Sequence, residues 1–291
     1  MPHRLLFRIL RLIVVASAMC MAACSYEILG PADPGESAPD LPSVSTMGMN
    51  LSLFGIDEDL SLADVEEMLT NAGSKGNWIQ AVIRVVFLRL SFYDFIEETG
   101  AAFAAAGHAV PQSQPDGSHL WTYIYVKDGT DYSIFLFSKV VGARIEWRME
   151  VSSSDAGFPL DHFVWFEGES MLDGSGGYWH FYRLEGLTAE ADAAAAITPG
   201  DPAVRIDWQH RGRRFRRITI RFNLEGHQNE GDVLDYRRTP DKDTLDQLDG
   251  DSGENHNITA YRDGSGSLTV PDYNGGEPAC WDTEQEDTDC P

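Results

Sequence analysis

Histidines and tryptophans on three stretches of alternating sequence are the residues whose types could form a binding or reaction site. Imidazole can bind metals or transfer protons, and indole gives a pocket an apolar wall with one donor. If the three stretches are strands that curve round one cavity, these side chains line a ligand pocket. The alternative is that the rings fill the core or form cross-strand pairs. The set comprises His162, Trp165, Trp179, His180, Trp208 and His210.

A second candidate site is a cluster of arginines around Gly212, which could bind phosphate or carboxylate groups through paired hydrogen bonds. Glycine at this position is typical of a hairpin tip, where arginines are often simply solvated or paired with acidic neighbours. The sequence leaves both the anion-binding and the solvated interpretation open. The cluster consists of Arg211, Arg213, Arg214, Arg216 and Arg217.

Patterns of known catalytic machinery do not occur in the context that they need. Gly250-Asp251-Ser252-Gly253 spells part of the nucleophile motif of chymotrypsin-like proteases, but Glu254 replaces the expected glycine and no histidine box lies upstream. The acidic stretch 241–254 could offer oxygen ligands to Ca²⁺, although its spacing is not that of an EF-hand. A solvated acidic loop is the alternative. We therefore expect no enzyme activity, no cofactor and no resident metal, and we keep an envelope hydrolase as the enzymatic alternative.

The N-terminus has the features of a processed export signal. Three arginines precede the charge-free run Leu12–Ala23, which is shorter than the roughly 20 residues that a transmembrane helix needs. Met21-Ala22-Ala23-Cys24 then resembles the lipobox of bacterial lipoproteins. The resemblance implies a signal peptide over 1–23, acylation of Cys24 and, because Ser25 is not aspartate, sorting to the outer membrane. An ordinary secretory signal cut near Ala23 is the alternative.

Charge and cysteine content limit the partners and the compartment. The formal net charge of −24 disfavours nucleic acid as a partner, and the hydrophobic content of 43% excludes wholesale disorder. With Cys20 in the leader and Cys24 acylated, Cys280 and Cys290 remain as an even pair. In an oxidising compartment such a pair predicts a disulfide. A thiolate metal site is the alternative, but further cysteine or histidine ligands are missing nearby.

Composition divides the exported chain into three parts. Residues 24–59 carry the lipid attachment and are rich in proline, glycine and serine, which predicts a flexible linker. Residues 60–275 form a single α+β domain, and residues 276–291 an acidic tail closed by the disulfide. In the domain, a short amphipathic helix is expected over 61–73, followed by an apolar helical region from Trp78 to Gly107.

After His119 the hydrophobic period changes to two, which predicts half-buried antiparallel strands. Asp-Gly-Ser or Asp-Gly-Thr precedes several of these runs, beginning at Asp116, Asp128, Asp173 and Asp263, and is typical of a tight turn. The predicted strands are Leu120–Val126, Asp131–Ser138, Ala143–Val151, Asp161–Glu167, Tyr178–Leu184, Val204–His210, Phe215–Leu224, Asn257–Arg262 and Ser267–Val270.

The expected fold is therefore α+β, mainly antiparallel: a meander sheet or open barrel of about eight or nine strands with N-terminal helices packed against it. In outline, residues 60–230 are similar to the half-barrel lipoprotein carriers of the LolA and LolB type. This resemblance implies a carrier of a hydrophobic ligand. Our leading interpretation from the residues is a lipid-anchored, non-enzymatic binding or interaction module, with the carrier as the second hypothesis.

Overall fold

The computed structural model describes residues 26–28, 37–55, 62–70, 73–127, 129–154, 159–182, 202–212, 215–223 and 230–291. The leader and Cys24 lie outside these residues. The described chain is mostly antiparallel β, which confirms the expected fold class, but the sheet has 15 strands rather than eight or nine. Each strand after β2 pairs with the next one along the chain, so the sheet is an open meander.

Within the described ranges, two α-helices precede most of the strands. They are α1 (Leu62–Thr70) and α2 (Gly76–Ala105). The strands are β1 (Tyr26–Ile28), β2 (Gln112–Ser113), β3 (His119–Lys127), β4 (Thr130–Val141), β5 (Arg144–Ser153), β6 (Leu160–Met171), β7 (Gly176–Phe181), β8 (Val204–Arg211), β9 (Phe215–Phe222), β10 (Val233–Arg238), β11 (Lys242–Leu248), β12 (Asn255–Tyr261), β13 (Gly266–Thr269), β14 (Ala279–Trp281) and β15 (Asp287–Thr288).

Alternation of apolar and polar residues gives the sheet an inner face, which packs on α2, and an outer face. On β5, Ile145, Trp147 and Met149 are buried, whereas Arg144 and Glu146 alternate with them and are exposed. Full burial of an isoleucine or methionine side chain contributes roughly 1.5 to 3 kcal/mol to the stability of the fold. The same period of two along the neighbouring strands produces one continuous core.

Helix α2 crosses the inner face of the sheet. Near its C-terminus, the ring of Phe103 lies 5.6 Å from that of Phe166 and 5.9 Å from that of Trp179. Tyr123 donates a hydrogen bond of 2.6 Å to the carbonyl of Ala102. The N-terminal half of α2 contacts β13, β14 and β15. The helix therefore joins the first and last strands of the meander. No helix within the described ranges is long and apolar enough to cross a bilayer.

The predicted flexible linker is packed against the domain over the described part, residues 37–55. Met47, Met49, Leu51 and Phe54 are buried in the core. Proline, glycine and serine dominate the composition of 24–59, but the alternating apolar residues near its end can enter the sheet's inner face. We call residues 43–55 the inner strap. The prediction of a free tether is wrong for this segment.

Strands β10 and β11 are among those that were not predicted, and each contains a buried aspartate, Asp235 on β10 and Asp243 on β11. Strand β11 lies in the stretch that was predicted as a solvated acidic loop, and it pairs with β10 and β12. Asp243 on β11 is fully buried between Arg238 and Arg262, at 2.7 and 2.9 Å. Tyr236 also donates to Asp243 at 2.9 Å. Arginine partners and a phenol thus compensate for the loss of water around this carboxylate.

The C-terminal tail continues the sheet as β14 and β15, and the predicted disulfide between Cys280 and Cys290 is confirmed. The tail also caps α2, whose own N-cap residue makes no side-chain hydrogen bond. The carboxylate of Asp287 accepts from the backbone amides of Gly76 and Asn77, at 3.2 and 2.8 Å. Since the first amides of a helix have no partner within it, the disulfide-closed tail satisfies them from a distant part of the chain.

Three of the four Asp-Gly turns have the same geometry. Asp116, Asp173 and Asp263 each accept a hydrogen bond from the backbone amide two residues later, at 2.9 to 3.1 Å. The serine hydrogen bonds lower the pKa of each carboxyl group. The turn at Asp128 falls on a residue that the structure does not describe. These turns set where the following strands begin.

The antiparallel meander gives the sheet two distinct ends. The turns between β4 and β5, β6 and β7, and β8 and β9 lie at one end, which we call the Gly142 end. The turn between β3 and β4 lies at the other, which we call the Lys127 end. Strand β1 pairs antiparallel with β3, with Tyr26 opposite Tyr125. The chain therefore enters the sheet from the Lys127 end.

Candidate ligand-binding groove

An open groove of about 980 Å³ lies over β6 to β9, close to the Gly142 end. The turn from Asp173 to Ser175 leads into β7, which pairs with β6 on one side and β8 on the other. Outward-facing residues of β8 and β9 form the far wall. The register places the outward residues of these two strands in matching rows, with Asp207 opposite Thr219.

Two consecutive glycines on β7, Gly176 and Gly177, are part of the groove lining, the first buried and the second half-buried. A Cβ atom on Gly177 would lie 2.2 Å from the carbonyl oxygen of Glu169 and 2.9 Å from the ring of Trp208. A Cβ atom on Gly176 would lie 3.1 Å from the carbonyl oxygen of Trp208. A side chain at Gly177 would therefore clash with the neighbouring strand. The glycines allow this close packing and leave the groove open.

An ion-paired carboxylate forms the centre of the β8–β9 wall. Asp207 accepts from Arg205 through Nη2 at 2.7 Å and through Nε at 3.0 Å, and it also accepts from Arg221. Burial acts to raise the pKa of Asp207, but the arginine hydrogen bonds outweigh it and the pKa is lowered. The guanidinium of Arg205 lies 4.9 Å from the centre of the Tyr178 ring. The wall is thus held in a fixed arrangement before any ligand arrives.

Two ring nitrogens on β8 are buried without a hydrogen-bond partner. They are Nε1 of Trp208 and Nε2 of His210, whose residues both line the groove and whose ring centres are 5.4 Å apart. Burial and the neighbouring positive charge of Arg216 lower the pKa of His210, which favours the neutral ring. Buried polar groups normally have partners, so these two nitrogens are exceptions. Both residues alternate along β8 with the outward-facing Asp207 and Gln209, and His210 lies opposite Arg216 on β9, so the two rings are on the inner side of the strand.

The row of charges continues beyond the groove on the outer face of β9 to β12. Arg217 donates twice to Asp235, at 2.7 and 2.8 Å. Arg237 donates to Asp235 at 2.7 Å and lies 3.1 Å from Asp246, which in turn accepts from Asn257. We call this row the outer ladder. Residues of like charge lie directly opposite each other, Arg217 with Arg237 and Asp235 with Asp246, so its ion pairs run diagonally between strands or along β10.

The structure divides the predicted arginine cluster. Arg211 and Arg217 line the groove, and the guanidinium of Arg211 lies 5.9 Å from the centre of the Phe215 ring. Arg216 is on the inner face, where it donates to the carbonyl oxygen of Gly48 at 2.6 Å. The alternation of a strand explains why neighbours at 216 and 217 face opposite ways. Arg213 and Arg214 lie outside the described residues.

The predicted pocket of histidines and tryptophans does not form around one cavity. Trp165 and Trp179 belong to the core, with Trp179 donating to the hydroxyl of Thr46 at 3.1 Å. His180 is on the outer face, 3.1 Å from Arg205, and burial together with that arginine lowers its pKa. Only Trp208 and His210 line the groove. The set is split because its members occupy both inward and outward positions.

His162 lies away from the groove, near the start of β6, and its backbone φ angle is positive, at 49°. Its Nδ1 is 2.8 Å from a carboxylate oxygen of Glu150, and its ring centre is 4.7 Å from that of Phe135. The hydroxyl of Ser152 accepts from the backbone amide of His162 at 2.9 Å. This serine is thus bound to the histidine's backbone. Within the described residues, no hydrogen bond joins the His162 ring to a hydroxyl or thiol.

The other acidic and serine candidates act as turn residues. Ser252 donates to Asp249 through its amide and its hydroxyl, at 2.7 and 2.9 Å, within the turn between β11 and β12. A group of three carboxylates, Asp282, Glu284 and Glu286, lies in the tail. Asp282 there accepts from the amides of both glutamates, at 2.9 and 3.0 Å. These bonds explain the proximity of the three residues.

Several groove residues were missed by the sequence interpretation, although the strands that carry them were predicted. Applying the period of two to β8 and β9 would have grouped Arg205, Asp207 and Arg211 with Arg217 and Arg221, and would have separated Arg216 from them. The role of Gly176 and Gly177 depends on the packing of three strands, for which the sequence gives no direct signal.

Comparison of the chain with protein-family models, curated proteins and solved structures finds no match.

Proposed function

We propose that the chain is a non-enzymatic binding module of the bacterial cell envelope, held at the outer membrane by acyl chains on Cys24, and that its groove binds a carboxylate or phosphate group. The lipobox-like sequence before Cys24 supports the anchor. The residues around β7 to β9 support the binding role, and the confirmed disulfide is consistent with an oxidising compartment.

The observation that carries the binding proposal is the concentration of positive charge in the groove. Five arginines and two carboxylates line it, in a chain whose formal net charge is −24. Among the described residues, Arg211 has no carboxylate partner. A local excess of positive charge attracts anions, and a free guanidinium offers two parallel donors to a carboxylate or phosphate.

The two alternative functions have weaker support. A hydrophobic-ligand carrier needs an accessible inner face, but α2 and the inner strap cover that face with buried side chains such as Phe103 and Met47. An envelope hydrolase needs a nucleophile beside the pair formed by His162 and Glu150, and Ser152 is bonded instead to the histidine's backbone.

The groove is tested by isothermal titration calorimetry with inorganic phosphate and with D-lactate, at low ionic strength. The protein is the chain from position 24 onward with Cys24→Ser, which retains every residue that the structure describes. We expect both anions to bind and the Arg211→Ala variant to bind about tenfold more weakly, since a hydrogen bond to a charged group contributes about 1.5 kcal/mol.

The matched control is Arg148→Ala, which removes an exposed, ion-paired arginine on the same face but outside the groove. Its affinity for both anions should equal that of the parent chain. Absence of binding, or an equal loss in the two variants, would contradict the proposed groove.

The anchor is tested separately, by intact mass measurement of the protein purified from its native membrane. The expected mass is that of a chain beginning at Cys24 with acyl chains attached, and Cys24→Ser should remove the acyl mass. A chain that still begins at Met1, or an unmodified Cys24, would contradict the lipid anchor without affecting the groove.

A further inference from the structure

We infer that the Gly142 end of the sheet docks end-on onto an anionic lipid bilayer, with apolar side chains entering the membrane interface and arginines binding lipid phosphate groups. The inference goes beyond the proposed anion binding, because it depends on side chains that a soluble anion does not touch. It does not depend on acylation of Cys24, since the chain enters the sheet at the opposite end.

Three turns lie side by side at this end. The amide of Leu172, in the turn between β6 and β7, donates to the carbonyl oxygen of Ala143, in the turn between β4 and β5, at 3.0 Å. The amide of His210, near the end of β8, donates to the carbonyl oxygen of Ser175 at 2.8 Å. The turn between β8 and β9 therefore follows directly, and the three turns form one continuous edge.

This edge is open to its surroundings. Each turn contains one glycine with a positive φ angle between 61° and 66°, which is typical of a tight hairpin. A Cβ atom built on Gly142, Gly174 or Gly212 would meet no other part of the described chain within 4 Å. Each turn is thus narrow and has free space beside it.

Four exposed apolar side chains lie on two of these turns. We call Val140, Val141, Met171 and Leu172 the apolar tip. Leu172, Val141 and Val140 are 51, 48 and 47% exposed, the highest values among the large hydrophobic residues that the structure describes. Single exposed apolar side chains are normal on a protein surface, whereas a cluster of them indicates contact with an apolar partner.

The arrangement of the apolar tip favours a bilayer over a protein that covers one face of the sheet. Val140 and Val141 are consecutive on β4 and therefore point to opposite sides. Met171 lies opposite Arg144, on the same side as Val141. A partner lying flat on the outer face would leave Val140 in water. A bilayer that meets the end of the sheet receives the side chains of both sides together.

Positive charge accompanies the apolar tip. Arg144 on β5 pairs with Glu169 at 3.0 Å, and its side chain is still 62% exposed. Arg211, just before the turn between β8 and β9, is also exposed. Within the described residues of the three turns, Asp173 is the single carboxylate. Binding to an anionic membrane increases with buried apolar area and with electrostatic attraction, and this end offers both.

The net charge of the chain does not prevent such a contact. At −24, the protein as a whole is repelled by an anionic surface. Charges more than about 10 Å apart are largely screened at 0.1 M salt, so the charges at the contacting end dominate once the protein is close. A contact restricted to the arginine-bearing end therefore avoids most of the repulsion.

The inference is tested by co-sedimentation of the Cys24→Ser chain, from position 24 onward, with large unilamellar vesicles at about 0.1 M salt. One vesicle preparation contains phosphatidylglycerol mixed with phosphatidylcholine, and the other contains phosphatidylcholine alone. We expect the partition coefficient to be about tenfold higher for the anionic vesicles, because each arginine near an anionic surface strengthens binding roughly fivefold.

Variants assign the binding to the apolar tip. Val141→Ser with Leu172→Ser removes exposed apolar surface outside the groove. It should weaken binding to anionic vesicles about tenfold and leave the affinity for inorganic phosphate unchanged. The matched control, Leu69→Ser with Leu248→Ser, removes side chains that are 45 and 38% exposed elsewhere and should bind vesicles like the parent chain. Arg211→Ala should weaken the binding of both vesicles and phosphate.

The outcomes separate docking from the proposed groove. If phosphate and D-lactate bind but neither vesicle preparation does, docking is overturned and the anion site stands. If anionic vesicles bind but neither soluble anion does, docking stands and the anion site fails. Docking is also overturned if the two vesicle preparations bind equally, or if the tip variant binds vesicles like the control.

The same variants detect a second copy of the chain as the partner of the apolar tip. Light scattering on the parent chain should show a monomer. A parent dimer that Val141→Ser with Leu172→Ser converts to a monomer, together with no binding to vesicles, would overturn docking in favour of self-association.

Discussion

Two arginine–aspartate networks occupy opposite faces of the same strands, and they differ mainly in exposure to water. On the inner face, Asp243 is fully buried and binds Arg238 and Arg262. On the outer face, the Asp235 side chain is 12% exposed and binds Arg217 and Arg237, which are 44% and 45% exposed, against 25% for Arg238 and 40% for Arg262. The inner network attaches the strap to the sheet, because Arg238 also donates to the side-chain oxygen of Asn50 and the Tyr236 hydroxyl lies 2.8 Å from the Asn50 carbonyl oxygen.

The comparison shows that identical chemistry has different consequences on the two faces. Breaking a buried pair leaves an uncompensated charge in a dry environment, whereas exposed partners are rehydrated. We therefore expect the inner network to contribute more to stability than the outer ladder. The outer ladder and the adjoining groove wall hold planar charged groups in place at little cost in stability, and they remain accessible to a ligand.

The largest expected effect tests this difference directly. Asp243→Asn should lower the free energy of unfolding by about 3 kcal/mol, because Arg238 and Arg262 lose their buried counter-charge. Asp235→Asn, the matched change on the outer face, should cost about 1 kcal/mol or less. Urea unfolding followed by tryptophan fluorescence measures both. Similar losses in the two variants would mean that burial does not separate the networks.

The next effect concerns the cap that Asp287 of the C-terminal tail forms on the N-terminus of α2. Removing the disulfide by Cys280→Ser with Cys290→Ser should cost about 2.7 kcal/mol on a chain-entropy estimate. In that background, Asp287→Ala should cost less than in the oxidised chain, because the freed tail no longer holds Asp287 against Gly76 and Asn77. A double-mutant cycle in urea checks this; strictly additive losses would show that cap and disulfide act independently.

A smaller effect compares two adjacent arginines on β9. Arg216→Met removes the inward hydrogen bond to Gly48 and should cost about 1 to 1.5 kcal/mol. Arg217→Met removes an outward, half-exposed ion pair and should cost about 0.5 kcal/mol. Equal thermal shifts for the two variants would argue against the opposite orientation of these side chains.

The smallest expected effect concerns the stability of the outer face at acidic pH. Hydrogen bonds from arginines outweigh burial and lower the pKa of Asp207 and Asp235 below the ordinary 3.8. A lowered pKa in the folded state contributes stability above pH 3.8, and this contribution is lost as the pH falls through the folded-state value. The double variant Asp207→Asn with Asp235→Asn should therefore lose less stability than the parent between pH 5 and pH 3 in urea titrations.

The sequence predicted the strands well wherever burial follows a strict alternation. All nine predicted strands are found, from β3 to β9 and at β12 and β13. It failed for β11 because the inward position of Asp243 breaks the apolar pattern, and the ion pairs that permit its burial come from other strands. It failed for the inner strap because prolines and glycines dominate the average composition of a segment that ends in buried methionines.

The candidate site was predicted only in part. Arg211, Arg217, Trp208 and His210 were singled out, but they had been assigned to two separate sites. The structure brings them together because β8 pairs with β9, which places Gln209 opposite Arg217 and His210 opposite Arg216. This register depends on the pairing of two strands, and residue types alone do not encode it.

Strand β1 determines which way the molecule would point if Cys24 carries acyl chains. Tyr26 is paired near the Lys127 end, and two extended residues span only about 7 Å, so the lipids would leave the domain on that side. The Gly142 end, which is close to the groove, would then point away from the bilayer into the aqueous space. So short a link would prevent the domain from rotating its groove towards the membrane that anchors it. The groove's ligand would then have to reach it from the aqueous space or from the opposite membrane.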